Sequence, residues 1–258
     1  MTSRPDPRTS LLESDEAPPF EIVNGEGGSN AVLVCDHASH CVPRTLGTLG
    51  LGAARLREHI AWDPGAAAVA RHLSAELDAP LVLSGYSRLV IDCNRPLRSD
   101  QSIAEESDGV DIPGNRGLSP DERSARADAL FHPYHDTIAA VLDRRVGRPT
   151  LLLSIHSFTP VLGGHTRPWD VGVSARRERG LASLLVAELR SDGAPSTVGD
   201  NEPYAIDDEL DYTIPTHAEA RGLPSALIEI RQDGIQRPEH AKTWAVRLAR
   251  AVRRTRMS

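Results

Sequence analysis

Leu151-Leu152-Leu153-Ser154-Ile155-His156-Ser157-Phe158 is an apolar β-run that ends on a histidine flanked by two serines. In an open α/β sheet the ligand crevice lies outside the carboxyl ends of the strands, so a polar residue terminating a buried strand faces a site and not the core. Ala31-Val32-Leu33-Val34-Cys35 stops in the same way, on Asp36-His37-Ala38-Ser39-His40. A third run, Ala226-Leu227-Ile228-Glu229-Ile230-Arg231-Gln232-Asp233, carries a carboxylate inside an apolar segment, where burial without a partner is costly. Two strand-end histidines and a strand-borne glutamate point to one site.

Between these runs the apolar period changes to that of a helix. Asp63-Pro64 offers an N-cap with proline at the first helical position, and Ala66, Val69, Ala70, Leu73 and Leu77 follow at helical spacing. Ser119-Pro120-Asp121-Glu122 is a capping box, and Leu130, Tyr134, Ile138, Val141 and Leu142 give the helix after it an apolar face as far as about Val146. Leu181, Leu184, Leu185 and Leu189 mark another helix, and Ala241, Trp244, Ala245, Leu248 and Val252 a last one. Thr216 is expected to cap a short helix ended by Gly222. Residues 81–83, 89–91 and 171–173 read as further strands, whereas 98–117 and 199–212 lack periodicity and read as surface loops of the kind that carry function. Strands alternating with helices predict an α/β fold, a doubly wound, mainly parallel sheet with helices on both faces. One domain over residues 20–258 is expected, behind a flexible tail, 1–19, rich in Pro, Ser, Asp and Glu.

Composition narrows the partners. A net charge of -7 gives no reason to expect nucleic acid or an anionic membrane surface. With no apolar run long enough to span a bilayer and no apolar signal region at the start, a soluble cytoplasmic protein is expected. Cys35, Cys41 and Cys93 are an odd number without metal-motif spacing, which reads as reduced thiols and argues against a zinc site built from sulfur. Ten histidines leave nitrogen and oxygen ligands available. The chain has no P-loop, Gly-rich phosphate cradle or Gly-x-Ser-x-Gly elbow.

A catalytic zinc takes three protein ligands and a water, commonly two histidines and a carboxylate. His37 and His156 fit the histidine roles. Either alone is more simply a histidine hydrogen-bonded at a strand end, but their matching positions argue for more. The third ligand stands between His40 and Asp63, the latter equally readable as a plain N-cap, while His59 could support the ligands from behind. Glu229 suits a general base that takes a proton from water and delivers it to a leaving amine. Its structural alternative is an ion pair with Arg231, two residues on along the same strand face, or with another arginine. Asn94-Arg95 follows the 89–91 run, and Arg88 opens it. A guanidinium there could grip a substrate carboxylate in bidentate fashion, or simply pair with Asp92 or surface acids. Asn201 and Tyr204, in the second polar loop, are candidate substrate contacts or turn residues.

With these residues assembled, the chain resembles the N-formylglutamate amidohydrolase family from about residue 30 to 235. The carrying motifs are Val34-Cys35-Asp36-His37-Ala38-Ser39, His59-Ile60-Ala61-Trp62-Asp63-Pro64, Ser87-Arg88 through Asn94-Arg95-Pro96, Ser154-Ile155-His156-Ser157-Phe158, Gly199-Asp200-Asn201-Glu202-Pro203-Tyr204 and Glu229-Ile230-Arg231-Gln232-Asp233. That family is similar in fold to the zinc carboxypeptidases and aspartoacylases, which share a Ser-Ile-His-Ser strand end, an Asn-Arg pair and a Glu-x-Arg strand. The resemblance implies a zinc-carboxypeptidase-like fold, zinc as cofactor, His156 as a ligand, Arg95 at a substrate carboxylate and Glu229 as the base. Carboxypeptidases carry His-x-x-Glu at the first metal motif, where this chain has His37-Ala38-Ser39-His40. The carboxylate ligand then comes from elsewhere, which favours Asp63.

The implied function is zinc-dependent hydrolysis of the amide bond of a small acidic N-acyl amino acid, N-formylglutamate giving formate and glutamate. A metallocarboxypeptidase-like enzyme or a peptidoglycan amidase is the runner-up. Outside the enzymes, the alternative is a metal-free binding module for small carboxylates. Oligomeric state is left open.

Overall fold

The computed structural model describes residues 10–255. In chain order its strands are β1 (Phe20–Val23), β2 (Ala31–Cys35), β3 (Leu81–Ser84), a hairpin of β4 (Glu106–Ser107) and β5 (Val110–Asp111), β6 (Leu151–Phe158), a second hairpin of β7 (Val161–Leu162) and β8 (His165–Thr166), β9 (Val171–Ser174), β10 (Val198–Asp200) and β11 (Ser225–Arg231). The main sheet runs β1-β3-β2-β6-β11-β9-β10. Its centre, β3, β2, β6 and β11, is parallel. β1 and β9 pair antiparallel on either side of that centre, and β10 lies parallel to β9.

The helices are α1 (Ala66–Leu77), α2 (Pro120–Arg126), α3 (His132–Asp143), α4 (Gly180–Ser191) and α5 (Pro238–Arg254). Successive side chains of a strand point to opposite faces, and here both faces are covered. Leu33, Leu153, Ile155 and Ile228 pack on α1, α4 and α5, while Val32, Val34, Leu152 and Leu227 pack on α3. On the α3 face the apolar series runs out at the strand ends. It continues past Val34 to Asp36, past Leu152 to Ser154 and His156, and past Leu227 to Glu229. Register aligns these ends, with Ser154 opposite Val34 and His156 opposite Glu229. A third apolar cluster, including Leu49, Ile60, Leu89, Ile103, Ile112 and Phe131, lies under the long connections around the site. Among the described residues no helix is long and apolar enough to cross a membrane.

Four expectations need correction. Residues 89–91 are a buried turn and no strand: Leu89 N and Val90 N bond to Ser87, and the Leu89 and Val90 carbonyls accept from Asn115 and Arg126 side chains. With those groups taken, no ladder can form. The helix expected from Ser119 to Val146 is divided by a π-turn, Ala127–Phe131, and ends at Asp143. Pro133 lacks the N–H that would continue an α-helix through this turn, and the wider turn accommodates the gap. Thr216 lies inside a π-turn, Ile214–Ala218, and caps nothing, although Gly222 does end the segment at φ 65°. Finally, residues 10–19 are held to the domain. Thr45 Oγ1 donates to Leu11 O, Tyr86 OH to Ala17 O and Gly85 N to Pro19 O. Residues 1–9 of the expected tail lie outside the described residues.

Gly172 marks a close approach that matters for the site. A Cβ built on it would lie 1.6 Å from Glu202 O, in the loop that carries Tyr204. Gly172→Ala is expected to push that loop off β9 and cost about 3 kcal/mol, the upper range for overpacking. Thermal melting checks it, and an unchanged midpoint would mean that the loop yields freely.

Candidate active site

His37 lies two residues beyond β2, Asp63 just before the turn into α1, and His156 on β6. The helix start expected at Asp63-Pro64 is made by Gly65, at φ 85° and with no side-chain cap. The Asp63 carboxylate is free to turn inward. Its Oδ2 stands 2.8 Å from His156 Nδ1 and 3.4 Å from His37 Nδ1, and it accepts from Ser157 N at 3.2 Å. These three side chains offer ligand atoms that all lie within 4.8 Å of one another. His40 is not among them. It lies against Trp62, ring centroids 5.0 Å apart.

The far nitrogen of each histidine is fixed by a buried acid. His37 Nε2 donates to Asp92 Oδ1 at 2.7 Å, and His156 Nε2 to Asp36 Oδ2 at 3.0 Å. Both acids are themselves held. Asp36 also accepts from Tyr134 OH, Thr213 Oγ1 and Ser154 Oγ, and Asp92 from Arg88 Nη2 and Asn94 N. A histidine that gives its Nε2 proton to a carboxylate presents a lone pair at Nδ1. Two such lone pairs and a carboxylate oxygen converging on one point repel each other unless a cation or protons lie between them. Burial alone would raise the Asp36, Asp63 and Asp92 carboxyls, yet the histidines and Arg88 hold them well below the usual carboxylate range. Burial disfavours charge on His156, but its hydrogen bonds to Asp36 and Asp63 raise it well above an ordinary histidine. The field therefore favours positive charge at the point of convergence. The donor set, two nitrogens and a carboxylate, fits a divalent metal of the zinc type.

Glu229 faces this point from β11 and is buried, and burial pushes its carboxyl up to about 7. Its Oε2 has no hydrogen-bond partner among the described residues. The ion pair with Arg231 does not form, because Arg231 turns to Asp170 at 3.0 Å and Asp233 at 2.8 Å on the other side of the strand end.

A cavity of about 180 Å³ opens over these groups, bounded further by His59, Arg88, Arg95, Phe158, Tyr204 and Leu210. Arg88 Nη2 bonds Asp92 at 2.7 Å, and Nη1 lies 3.6 Å from Asp63 Oδ1, next to the convergent donors. Arg95 lies 3.4 Å from Asp211 and donates to the Leu210 carbonyl. Asn94 borders the cavity but spends its amide on Asp211, Tyr212 and Thr213, so it braces the loop. Asn201 does not reach the cavity wall. It sits in a left-handed turn at φ 56°, its Oδ1 accepting from Ala175 N. His59 bonds Asp108 at 3.1 Å across the β4–β5 hairpin. Two anchors have roles that the sequence does not signal, Asp36 behind His156 and Asp92 behind His37. Both stand inside motifs already noted, but which nitrogen they hold is visible only in the fold.

The fold has counterparts in solved structures. A gene product from Agrobacterium tumefaciens is 38% identical and superposes with a TM-score of 0.92, over 96% of this chain and 98% of that one. The N-formylglutamate amidohydrolase from Ralstonia eutropha superposes with a TM-score of 0.72 at 21% identity, over 93% of this chain and 98% of that one. No curated protein matches the chain in sequence. The profile of the N-formylglutamate amidohydrolases matches residues 29–236, a span that holds every residue of the convergent donor set, Glu229 and the cavity wall. The chain belongs to the N-formylglutamate amidohydrolase family.

Proposed function

We propose that this chain is a zinc-dependent amidohydrolase that converts N-formylglutamate and water to formate and glutamate. The observation that carries the reading is the buried Glu229 carboxylate, one oxygen without a partner among the described residues, facing three convergent donor groups. His37, Asp63 and His156 would hold the zinc, which when bound supplies Lewis acidity for the formyl oxygen and acidifies a water. Glu229 takes a proton from the attacking water as its oxygen adds to the formyl carbon. It then gives the proton to the amine nitrogen as the C–N bond breaks. Burial pushes that carboxyl up to about 7 in the metal-free protein, the direction that lets a carboxylate hold and return a proton. Arg88, beside the donors, is suited to the oxygen that gains negative charge. Arg95 and Tyr204 meet substrate further out.

The test is a panel of formyl-, acetyl- and longer acyl-glutamates, the matching aspartates and short peptides, with metal analysis of protein purified without added zinc. N-formylglutamate is expected to give the highest kcat/KM. Preference for peptides or peptidoglycan fragments would move the chain to the runner-up enzymes, and absence of stoichiometric metal with retained carboxylate binding would make it a binding module.

Arg95→Lys is expected to raise KM about tenfold, because an ammonium lacks the planar fork that can meet a carboxylate while the Leu210 carbonyl stays bound. Unchanged steady-state kinetics would remove Arg95 from substrate binding.

A further inference from the structure

One guanidinium beside the cavity has no carboxylate paired with it among the described residues. Arg167, at the end of the β7–β8 hairpin, is 7% exposed. Its Nη1 donates to the Tyr204 hydroxyl at 2.6 Å. The guanidinium lies 4.8 Å from the Tyr204 ring centroid and 5.7 Å from that of Phe158. Its Nη2 is buried and has no hydrogen-bond partner among the described residues. The two cavity arginines nominated from the sequence are different, since Arg88 is paired with Asp92 and Asp63, and Arg95 with Asp211. Arg145, also buried away from carboxylates, points its terminal nitrogens at the Gly27 and Ser29 carbonyls. A buried cation without counter-charge is costly, so Arg167 is a group that an anion from outside would complete.

Tyr204 provides the contact. Its oxygen already accepts from Arg167, which leaves its own proton to donate, and no acceptor for it exists among the described residues. The side chain borders the cavity. Phe158 shares a face of β6 with His156 and lies about 7 Å further along the strand. Arg167, seated over Phe158, is therefore one step beyond the convergent donors. A group at the end of a glutamyl side chain stands off from the scissile amide in the same sense.

We propose that the Tyr204 hydroxyl, charged from behind by Arg167, receives the side-chain carboxylate of the substrate and so selects an acidic over a neutral amino acid. The inference rests on the reading of the site as an N-acyl amino acid hydrolase. Arg167 acts through Tyr204 and is a positioning residue for it. The carboxylate loses its hydrogen bond when Tyr204 is changed, and loses the opposing charge when Arg167 is changed.

The experiment compares kcat/KM for N-formylglutamate and N-formylglutamine, which differ only in that carboxylate, in the zinc-loaded wild type and in Tyr204→Phe, Arg167→Gln and Arg167→Lys. Tyr204→Phe keeps the ring under the guanidinium, so its result is independent of any folding defect from removing a buried arginine. The wild type should prefer the acid by on the order of 10²-fold, the range of a charge-assisted hydrogen bond. Tyr204→Phe and Arg167→Gln should lose most of that preference, kcat/KM falling far more for N-formylglutamate than for N-formylglutamine, and Arg167→Lys should restore part of it. Parallel loss on both substrates, or no preference in the wild type, overturns the proposal. If the wild type hydrolyses neither compound, the reaction itself has been misread, and calorimetric binding of L-glutamate against L-glutamine to the same proteins decides the receptor. A preference for glutamate abolished by Tyr204→Phe then supports it, and equal binding overturns it.

Discussion

Glu229→Gln is expected to lower kcat on N-formylglutamate by about 10²–10⁴-fold, the usual span of general acid–base catalysis, while metal content and substrate affinity stay close to wild type. Glutamine keeps the size and reach of the side chain but cannot take the proton. Stability should move the other way. The carboxyl is raised to about 7 by burial, above its unfolded value, so the folded protein holds a proton that the unfolded chain releases as pH passes the ordinary glutamate range. Wild-type metal-free protein therefore loses stability as pH rises from about 4.5 through 7, by an amount on the order of 3 kcal/mol. Glutamine carries no such cost. The melting temperature of metal-free Glu229→Gln should exceed wild type by a margin that widens between pH 5 and pH 8. A variant that melts earlier than wild type at pH 8 would mean that Glu229 neutralises a buried cation. Retained turnover in a metal-loaded variant would require another base.

How much of this was legible beforehand depends on whether local pattern or distant contact decides a position. His156 and Glu229 could be read because the two-residue period of a strand fixes which face each side chain takes, and an apolar face that ends on a polar residue must end at a site, while His37 could be read only from its place just past the end of a buried apolar strand. Asp63 was ambiguous for a physical reason. An aspartate before proline at a helix start is a good N-cap, and only the left-handed Gly65, which supplies the helix start in its place, frees the carboxylate for the histidines. Residues 89–91 show the converse: three apolar residues in a row suit a strand, but their carbonyls are claimed by Asn115 and Arg126. Asp36 could not be assigned its role, because the hydroxyls that hold it come from Tyr134 and Thr213, 98 and 177 positions away. The distant Asp170 likewise draws Arg231 off Glu229.

His156→Ala and Asp63→Asn are expected to abolish stoichiometric zinc and activity, and to remove the stabilisation that zinc gives the wild type. Binding to the native state alone adds RT ln(1 + [zinc]/Kd), about 2.7 kcal/mol at a hundredfold excess over Kd. Wild-type melting should therefore rise with zinc, and melting of either variant should not. His40→Ala is the control. His40 lies against Trp62 and outside the convergent set, so that variant should bind zinc as the wild type does, and loss of zinc there with retention in Asp63→Asn would transfer the third ligand to His40. Asp36→Asn probes the layer behind. Asparagine has a single accepting oxygen, where Asp36 takes His156 on Oδ2 and the Tyr134 and Thr213 hydroxyls on Oδ1. It can keep the His156 bond only with its amide NH2 turned to the hydroxyls, and the charge that makes His156 Nδ1 a stronger ligand is gone. Zinc affinity should fall by about 10–100-fold and not vanish, as for other groups that orient a ligand without touching the metal. Direct ligands lost outright and the anchor merely weakened is the ordering that a metal centre requires. If Asp36→Asn were as damaging to zinc binding as His156→Ala, the buried acids would be holding the fold of the strand ends together, and the convergence of His37, Asp63 and His156 would be a hydrogen-bonded cluster in its own right.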